Sequence, residues 1–286
     1  MPKFLLRNGV LALAGALLAL ALAAGLSAAR PAAPEASAAG DETLAPVLVE
    51  LFTSQGCSSC PPADDLLRTL ERNQPVNGAL IIPLSEHVDY WNRLGWRDPY
   101  SSRRFSERQR EYARSLGIDS LWTPMMVVDG DTAIIGSRPI TAREAVVEAR
   151  KAPKARLAVE ASAEPGGDEV RVTGVITELP PHDAQPEVWV ALAEGGITTD
   201  VTRGENASKT LTHTAVVRSL TWLGSLPREA PEAWPVEAEL RLGRSWRREN
   251  LRVVVFVQAG QGGSIQGGTT VPIMCLKTKT HPPRPD

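Results

Sequence analysis

Residues 47–64 read VLVELFTSQGCSSCPPAD, and this stretch decides what kind of fold the chain can adopt. It begins with an apolar run, Val47 to Phe52, which is typical of a short buried strand. It then reaches Cys57-Ser58-Ser59-Cys60, two thiols at a spacing that can close a small disulfide ring, and continues into a helix-prone segment. A cysteine that begins a helix meets partial positive charge and free N–H groups, which favour the reactive thiolate. The stretch therefore predicts a strand, a redox-capable cysteine pair and a helix, in that order.

The same cysteine spacing also fits metal ligation and a plain structural bridge. The chain has three cysteines and four histidines, and it has no second paired-ligand motif. A closed four-ligand zinc site would therefore need scattered partners. We interpret Cys57 and Cys60 as a redox pair that needs no cofactor. The alternatives are a copper- or zinc-binding protein that uses these thiols with His87, and a non-catalytic secreted binding protein.

The N-terminus predicts export. Lys3 and Arg7 precede an uncharged stretch, rich in Leu and Ala, that runs from Asn8 to Ala29 and ends in small residues. This pattern is typical of a signal peptide over residues 1–29, and an uncleaved anchor is the alternative because the run approaches the length of a membrane span. We expect a periplasmic or secreted protein without stable membrane insertion after cleavage. That location is oxidising and suits a disulfide.

Composition restricts the partners. The formal net charge is −2, which gives no reason to expect a nucleic-acid partner. In the export compartment, a reactive cysteine pair would meet the thiols or disulfides of other proteins. These are the partners that we predict.

Two halves follow a leader, which we predict to be flexible over residues 30–44. Residues 45–152 alternate between strand-like and helix-like segments, which predicts an α/β layout. In residues 153–276, short β-branched and apolar runs recur between Gly, Pro and Asp, which is typical of an antiparallel β-sandwich. Residues 277–286 are interpreted as a tail.

The first half resembles the thioredoxin fold, since the cysteine pair lies between a strand and a helix and Thr123-Pro124 opens a later hairpin. Nearly the whole mature chain resembles a family of exported bacterial proteins catalogued as a domain of unknown function. The motifs that carry this likeness are residues 49–64, His87-Val88-Asp89-Tyr90-Trp91, residues 95–99, residues 123–130 and Arg203-Gly204-Glu205-Asn206. The resemblance implies an α/β thioredoxin-like domain followed by an antiparallel β-sandwich-like domain.

The thioredoxin resemblance also implies roles for residues around the thiols. Cys57 would be the nucleophile, and Cys60 would resolve the mixed disulfide. Pro124 would follow a cis peptide bond and present the backbone of Thr123 to a partner. Glu50 lies near the position of a buried acid that takes the proton from the second thiol, although it could equally be an exposed or capping residue.

The segment after the second predicted strand offers further binding candidates. Alternation would place His87, Asp89 and Trp91 on one face. His87 could tune Cys57 or ligate a metal while Asp89 orients its ring, or the pair could simply organise the loop. Four aromatic residues could line a groove for a partner or pack between the two halves: Tyr90, Trp91, Trp96 and Tyr100.

Cys275 is the odd thiol. It lies in a strand-like apolar run, so we expect a buried and inert cysteine, and intermolecular pairing is the alternative.

Overall fold

Strand β1, Ala45–Thr53, organises the part of the fold that holds the cysteine pair. In this computed structural model, the residues described are 44–182, 184–227 and 232–276. β1 pairs in parallel with β2, Ala79–His87, and antiparallel with β3, Met125–Val128. β3 in turn pairs antiparallel with β4, Thr132–Ile135. β1 is buried from Val47 onward because helices cover both of its faces.

Three helices provide this cover: α1 (Pro61–Asn73), α2 (Arg103–Ser115) and α3 (Pro139–Ala149). Helix α1 begins at Pro61 because proline at the first helical position loses no hydrogen bond. It packs with α3 on the face of β1 that carries Val49 and Leu51. Helix α2 covers the opposite face. Short 3₁₀ turns lie at Asn92–Leu94 and Arg248–Asn250.

The remaining strands follow α3 with no further α-helix in the part of the chain that the structure describes. Their β-branched and apolar residues fit a pleated, buried surface. Their bounds are β5 (Arg156–Ala163), β6 (Glu169–Thr177), β7 (Pro186–Glu194), β8 (Ile197–Val201), β9 (Lys209–His213), β10 (Val216–Ser225), β11 (Ala233–Arg241), β12 (Leu251–Ala259) and β13 (Ile265–Cys275).

Eleven strands form one mixed sheet in the order β11-β6-β5-β13-β12-β7-β10-β2-β1-β3-β4. The two halves join where β10 pairs in parallel with β2, with Val216 opposite Ser85. They also share a core, since Leu48 of β1, Phe105 of α2 and Phe256 of β12 belong to one apolar cluster. The predicted fold class, a thioredoxin-like α/β domain followed by a separate β-sandwich-like domain, is therefore wrong. The sequence shows where strands lie, but it does not show which edges pair.

Strands β8 and β9 form a separate two-stranded hairpin. The residues that connect them, 202–208, are called the hairpin tip below. Helix α1 contacts this hairpin, since Arg68 Nη1 donates to the carbonyl of Thr212 over 3.3 Å. The hairpin thereby lies beside the helix that follows the cysteine pair.

Some predictions fall on residues outside the described ranges. The signal peptide, the leader up to residue 43 and the tail are among them. Within the described residues, no helix is both long enough and apolar enough to cross a membrane.

Candidate functional site

Cys57 and Cys60 are joined in a disulfide between the end of β1 and the start of α1. Both cysteines are completely buried, whereas Ser58 and Ser59 between them are exposed. The turn is closed by backbone hydrogen bonds, with the Cys60 amide donating to the Cys57 carbonyl over 3.2 Å. Cys60 is the N-cap of α1, so Cys57 lies one turn outside the helix. A partner therefore meets the serines before it reaches either sulfur.

Two hydroxyl groups lie within hydrogen-bonding distance of the sulfur of Cys57, and that of Ser59 also lies 3.4 Å from the carbonyl of Thr123. Ser59 Oγ lies 3.3 Å from Cys57 Sγ, and Thr123 Oγ1 donates to the same atom over 3.4 Å. Thr123 is itself held by Trp91, whose Nε1 donates to Thr123 Oγ1 over 2.8 Å. The peptide bond between Thr123 and Pro124 is cis. The structure thus brings together Cys57, Cys60, Thr123, Pro124 and Trp91 from the predicted set.

The hairpin tip covers the disulfide turn from the second half of the chain. Asn206 is fully buried, and its Nδ2 donates to the carbonyls of Gln55 over 2.9 Å and of Cys57 over 2.8 Å. Glu205 is exposed, and its Oε2 accepts from the amide of Ser58 over 2.9 Å. Sequence reasoning assigned no role at the site to these residues. Their motif, Arg203-Gly204-Glu205-Asn206, was the available signal.

Gly204 sets how closely the tip approaches the loop after β2. A Cβ on Gly204 would lie 3.1 Å from Trp96 Cβ, and the φ of +75° is one that favours glycine. The indole of Trp96 reaches under the disulfide turn, where its Nε1 donates to Gln55 Oε1 over 3.1 Å. The aromatic residues after β2 were predicted either to line a groove or to pack between the two halves. Trp96 packs between the halves, because it contacts Gly204.

A buried layer of polar side chains lies below the turn. His87 Nδ1 is 2.7 Å from Asp98 Oδ2, and the backbone amide of Gln55 donates to the same oxygen over 2.8 Å. Burial opposes a charge on His87, but its ion pair and hydrogen bond with Asp98 outweigh burial and raise the pKa of the imidazole. Burial likewise opposes the charge on Asp98, but His87 and backbone amides lower the pKa of this carboxyl. Both shifts favour the charged forms of the two side chains.

A second buried histidine, His213 of β9, completes this layer. Its ring centroid lies 4.8 Å from that of His87. The Trp96 indole can only donate, so Gln55 presents its carbonyl to Trp96 and its amino group to His213 Nε2, 3.1 Å away. His213 Nε2 is then an acceptor, which places the ring proton on Nδ1. That nitrogen lies 3.5 Å from Oδ1 of Asp64 in α1.

Two predicted site residues have other partners. Asp89 does not orient His87, because its Oδ1 accepts from Ser106 Oγ over 2.5 Å. Glu50 is fully buried on the α2 face, where its Oε1 accepts from Arg108 Nε over 2.6 Å and its Oε2 accepts from the hydroxyl of Tyr112. Neither carboxylate is held by the disulfide turn.

Glu86 lies in the same buried network as Glu50. Its Oε1 is 3.5 Å from Arg108 Nε. Burial, followed by the charge of Glu50, raises the pKa of Glu86 well above its ordinary value. The α2 face of β1 therefore carries two buried carboxyl groups around a single guanidinium, that of Arg108.

Cys275 is exposed at the end of β13 and forms no disulfide with another described residue. The expectation of a buried cysteine is wrong. β13 continues past its pairing with β12, which ends at Pro272, and only its last three residues pair with β5. Among residues 44–182, 184–227 and 232–276, no group of three or more His, Cys, Asp or Glu side chains is arranged to hold a metal ion.

The fold and the site define a class of protein in which a disulfide turn follows the carboxyl end of an internal strand, β1, of a large mixed sheet. The chain belongs to the family described as "Protein of unknown function (DUF1223)", whose family model matches residues 48–258. The predicted membership of a domain-of-unknown-function family is confirmed. No curated protein matches the chain.

Two solved structures share the fold. Protein AGR_C_4864 from Agrobacterium tumefaciens is 27% identical with a TM-score of 0.56, and the match covers 82% of this chain and 96% of that one. HBP35 of Porphyromonas gingivalis is 14% identical with a TM-score of 0.65, and the match covers 83% of this chain and 78% of that one. The second likeness concerns the fold alone.

Proposed function

We propose that this protein is an exported redox protein whose Cys57–Cys60 pair exchanges with the thiols or disulfides of other proteins. The observation that carries the proposal is the convergence of two hydroxyl groups, from Ser59 and Thr123, on Cys57 Sγ. Hydrogen bonds from such groups also stabilise a thiolate, so the same geometry serves the reduced state. Cys57 is therefore the nucleophile when the pair is reduced, and it is the sulfur that a partner thiolate attacks when the pair is oxidised.

The proposed exchange consists of two thiol-disulfide substitutions. A partner thiolate attacks Cys57 Sγ, the bond between Cys57 and Cys60 breaks, and Cys60 leaves as a thiolate. A second partner thiolate then attacks the partner sulfur of the mixed disulfide and releases Cys57. The partner dithiol is oxidised and the Cys57–Cys60 disulfide is reduced. Running the steps in reverse oxidises the pair.

We propose that a partner gains access to Cys57 by moving the hairpin tip, because Cys57 is buried and Asn206 holds its turn through two carbonyls. The proposal therefore includes a step in which the partner displaces the tip. Export is supported by the N-terminal sequence, in which Lys3 and Arg7 precede a long apolar stretch. It places the pair among oxidised secreted proteins.

Three measurements test the proposal. With Cys275→Ser as background, Cys57→Ser should abolish exchange with a model disulfide, and Cys60→Ser should accumulate mixed disulfides with partners. The reduction potential of the pair should lie above about −300 mV, the region below which structural disulfides of secreted proteins lie. A potential well below that value, with no trapped partner, would instead support a non-catalytic binding protein with a structural crosslink.

A further inference from the structure

The Glu205 carboxylate is fixed at the disulfide turn by residues of the second half of the chain. It accepts from the Ser58 amide over 2.9 Å, next to Cys57. Hydrogen bonds from the side chain and backbone of Ser58 lower the pKa of Glu205, so the group is ionised at neutral pH. Its charge therefore lies beside the turn in which a Cys57 thiolate would form.

The tip is held by more than this single contact. The neighbouring Asn206 is buried and bonded to two carbonyls of the turn, and its Oδ1 accepts from Lys209 Nζ over 2.9 Å. Gly204, on the other side, packs against Trp96. An exposed glutamate on a loop would ordinarily sample many positions, but Glu205 is anchored through its neighbours.

We infer that Glu205 restrains the ionisation of the reduced Cys57 thiol, so that the thiolate forms fully only when a partner displaces the hairpin tip. This inference rests on the proposed redox role of the same cysteines. The Ser58 amide is a donor that could serve a thiolate one residue away, and Glu205 occupies it while adding a negative charge. Glu205 is a positioning residue, since it acts on Cys57 through the turn.

The other groups around the turn do not replace this effect. Among the described residues, the side-chain groups within hydrogen-bonding distance of Cys57 Sγ are the neutral hydroxyls of Ser59 and Thr123. Other charged or titratable groups adjoin the turn and would act equally in every variant below. They are Asp64, Asp65, Arg68, Glu71 and Arg72 of α1, Arg203 of the tip, Lys209 and His213 of β9, and the His87–Asp98 pair below the turn.

The consequence is a coupling between access and reactivity. A partner that reaches the buried sulfur must move the tip, and the same movement carries the carboxylate away from the turn. Both the steric cover and the electrostatic restraint are then removed in one step. Without a partner, the reduced protein would hold Cys57 in its less reactive protonated form.

The test titrates Cys57 alone. The chain contains three cysteines, so the full-length protein with Cys60→Ser and Cys275→Ser carries Cys57 as its one thiol. Its ionisation midpoint is read from the ultraviolet absorbance of the thiolate as pH rises. We expect Glu205→Gln to lower the ionisation midpoint of Cys57. At a pH below the midpoint, the thiolate fraction should rise about threefold, a change typical of one charge near a helix start. Added salt should shrink the difference from the parent.

Two further variants make the test decisive. Glu160→Gln, an exposed glutamate on β5, should leave the midpoint unchanged. Glu205→Ala should lower it as Glu205→Gln does, because both remove the charge. An unchanged midpoint in Glu205→Gln, with or without a change in Glu205→Ala, would overturn the inference. The titration measures only ionisation and needs no exchange activity. A failure of the proposed redox function would appear in the exchange assay, whereas a failure of this inference would appear in the titration.

Discussion

The side-chain amide of Asn206 donates to the backbone carbonyl of Cys57 over 2.8 Å, and it is the second half of the chain that supplies it. The same Nδ2 serves the carbonyl of Gln55. Both carbonyls belong to fully buried residues, and buried carbonyls are normally hydrogen-bonded, so the loss of this donor costs stability. The disulfide turn is therefore held by hydrogen bonds to the hairpin tip as well as by its connection to α1.

We predict that Asn206→Ala lowers the free energy of unfolding by about 1–3 kcal/mol, because it leaves two buried carbonyls without a donor. It should also speed reduction of the disulfide by dithiothreitol, since the tip is released. Chemical denaturation and the kinetics of thiol release measure the two effects. Asn77→Ala, at an exposed position, is the matched control and should change neither. Unaltered reduction kinetics in Asn206→Ala would contradict the idea that the tip covers Cys57.

Thr123 provides a second prediction, because its hydroxyl links Trp91 to Cys57. Thr123→Val keeps the shape but leaves the Trp91 indole without its acceptor and removes one of the two hydroxyl groups that meet Cys57 Sγ. We expect a loss of about 1–2 kcal/mol in stability and a higher ionisation midpoint for the Cys57 thiol. Thr132→Val, at an exposed position on β4, is the control. A midpoint that stays unchanged while stability falls would assign Thr123 a purely structural role.

Local signals in the sequence were enough to place the cysteine pair and its helix. Proline favours the first turn of a helix, so Pro61 and Pro62 are consistent with a helix that starts directly after Cys60, and α1 begins at Pro61. The family motifs were equally readable, since the family model matches residues 48–258. Such features depend on residues close together in the chain.

Pairing over long distances could not be predicted in the same way. The local sequence around Ser85 does not indicate that Val216 pairs with it and joins the two halves into one sheet. For His87, alternation suggested Asp89 as the carboxylate partner, but the chain turns after β2 and returns Asp98 to the ring instead. His213 and Asn206 reach the site through the β8–β9 hairpin, whose docking is a tertiary event.

The buried His87–Asp98 pair predicts a defined pH dependence of stability. The folded pKa of His87 lies above 6.5, so its contribution is complete below pH 6.5 and is lost as pH rises through the folded value. The folded pKa of Asp98 lies below 3.8, so its contribution is present above pH 3.8 and is lost as pH falls through the folded value. The pair should stabilise the protein most between these two limits.

Two variants check this dependence. Asp98→Asn should cost about 3–5 kcal/mol, because it leaves a buried imidazole without its counter-charge. His87→Gln should flatten the decline in stability above pH 6.5. His182→Gln, at a partly exposed histidine whose Nδ1 lies 3.0 Å from the Pro180 carbonyl, should keep the parent slope. The measurement is the free energy of unfolding by denaturant as a function of pH. If this free energy has the same slope above pH 6.5 in His87→Gln and in the parent, another group titrates in that range.

Glu86 gives the last prediction, and its sign is opposite to that of Asp98. The folded protein keeps the proton of Glu86 to a higher pH than the unfolded chain, which releases it near the ordinary value of 4.5. Stability from this group is therefore complete below pH 4.5 and declines as pH rises toward the folded pKa. Glutamine keeps the size and neutrality of the protonated acid and has no proton to lose. We expect Glu86→Gln to be more stable than the parent by about 1 kcal/mol or more at neutral pH. The two proteins should converge below pH 4.5.

Glu144→Gln, at an exposed position on α3, serves as the control for the removal of a carboxyl group and should follow the parent at every pH. The measurement is the free energy of unfolding by denaturant between acid and neutral pH. If Glu86→Gln is less stable than the parent at neutral pH, then Glu86 is ionised in the folded protein and shares Arg108 with Glu50 as a second anion. Because the network lies on the α2 face of β1, exchange activity of the disulfide should be the same in parent and variant. A change in activity together with stability would mean that the two faces of β1 are coupled.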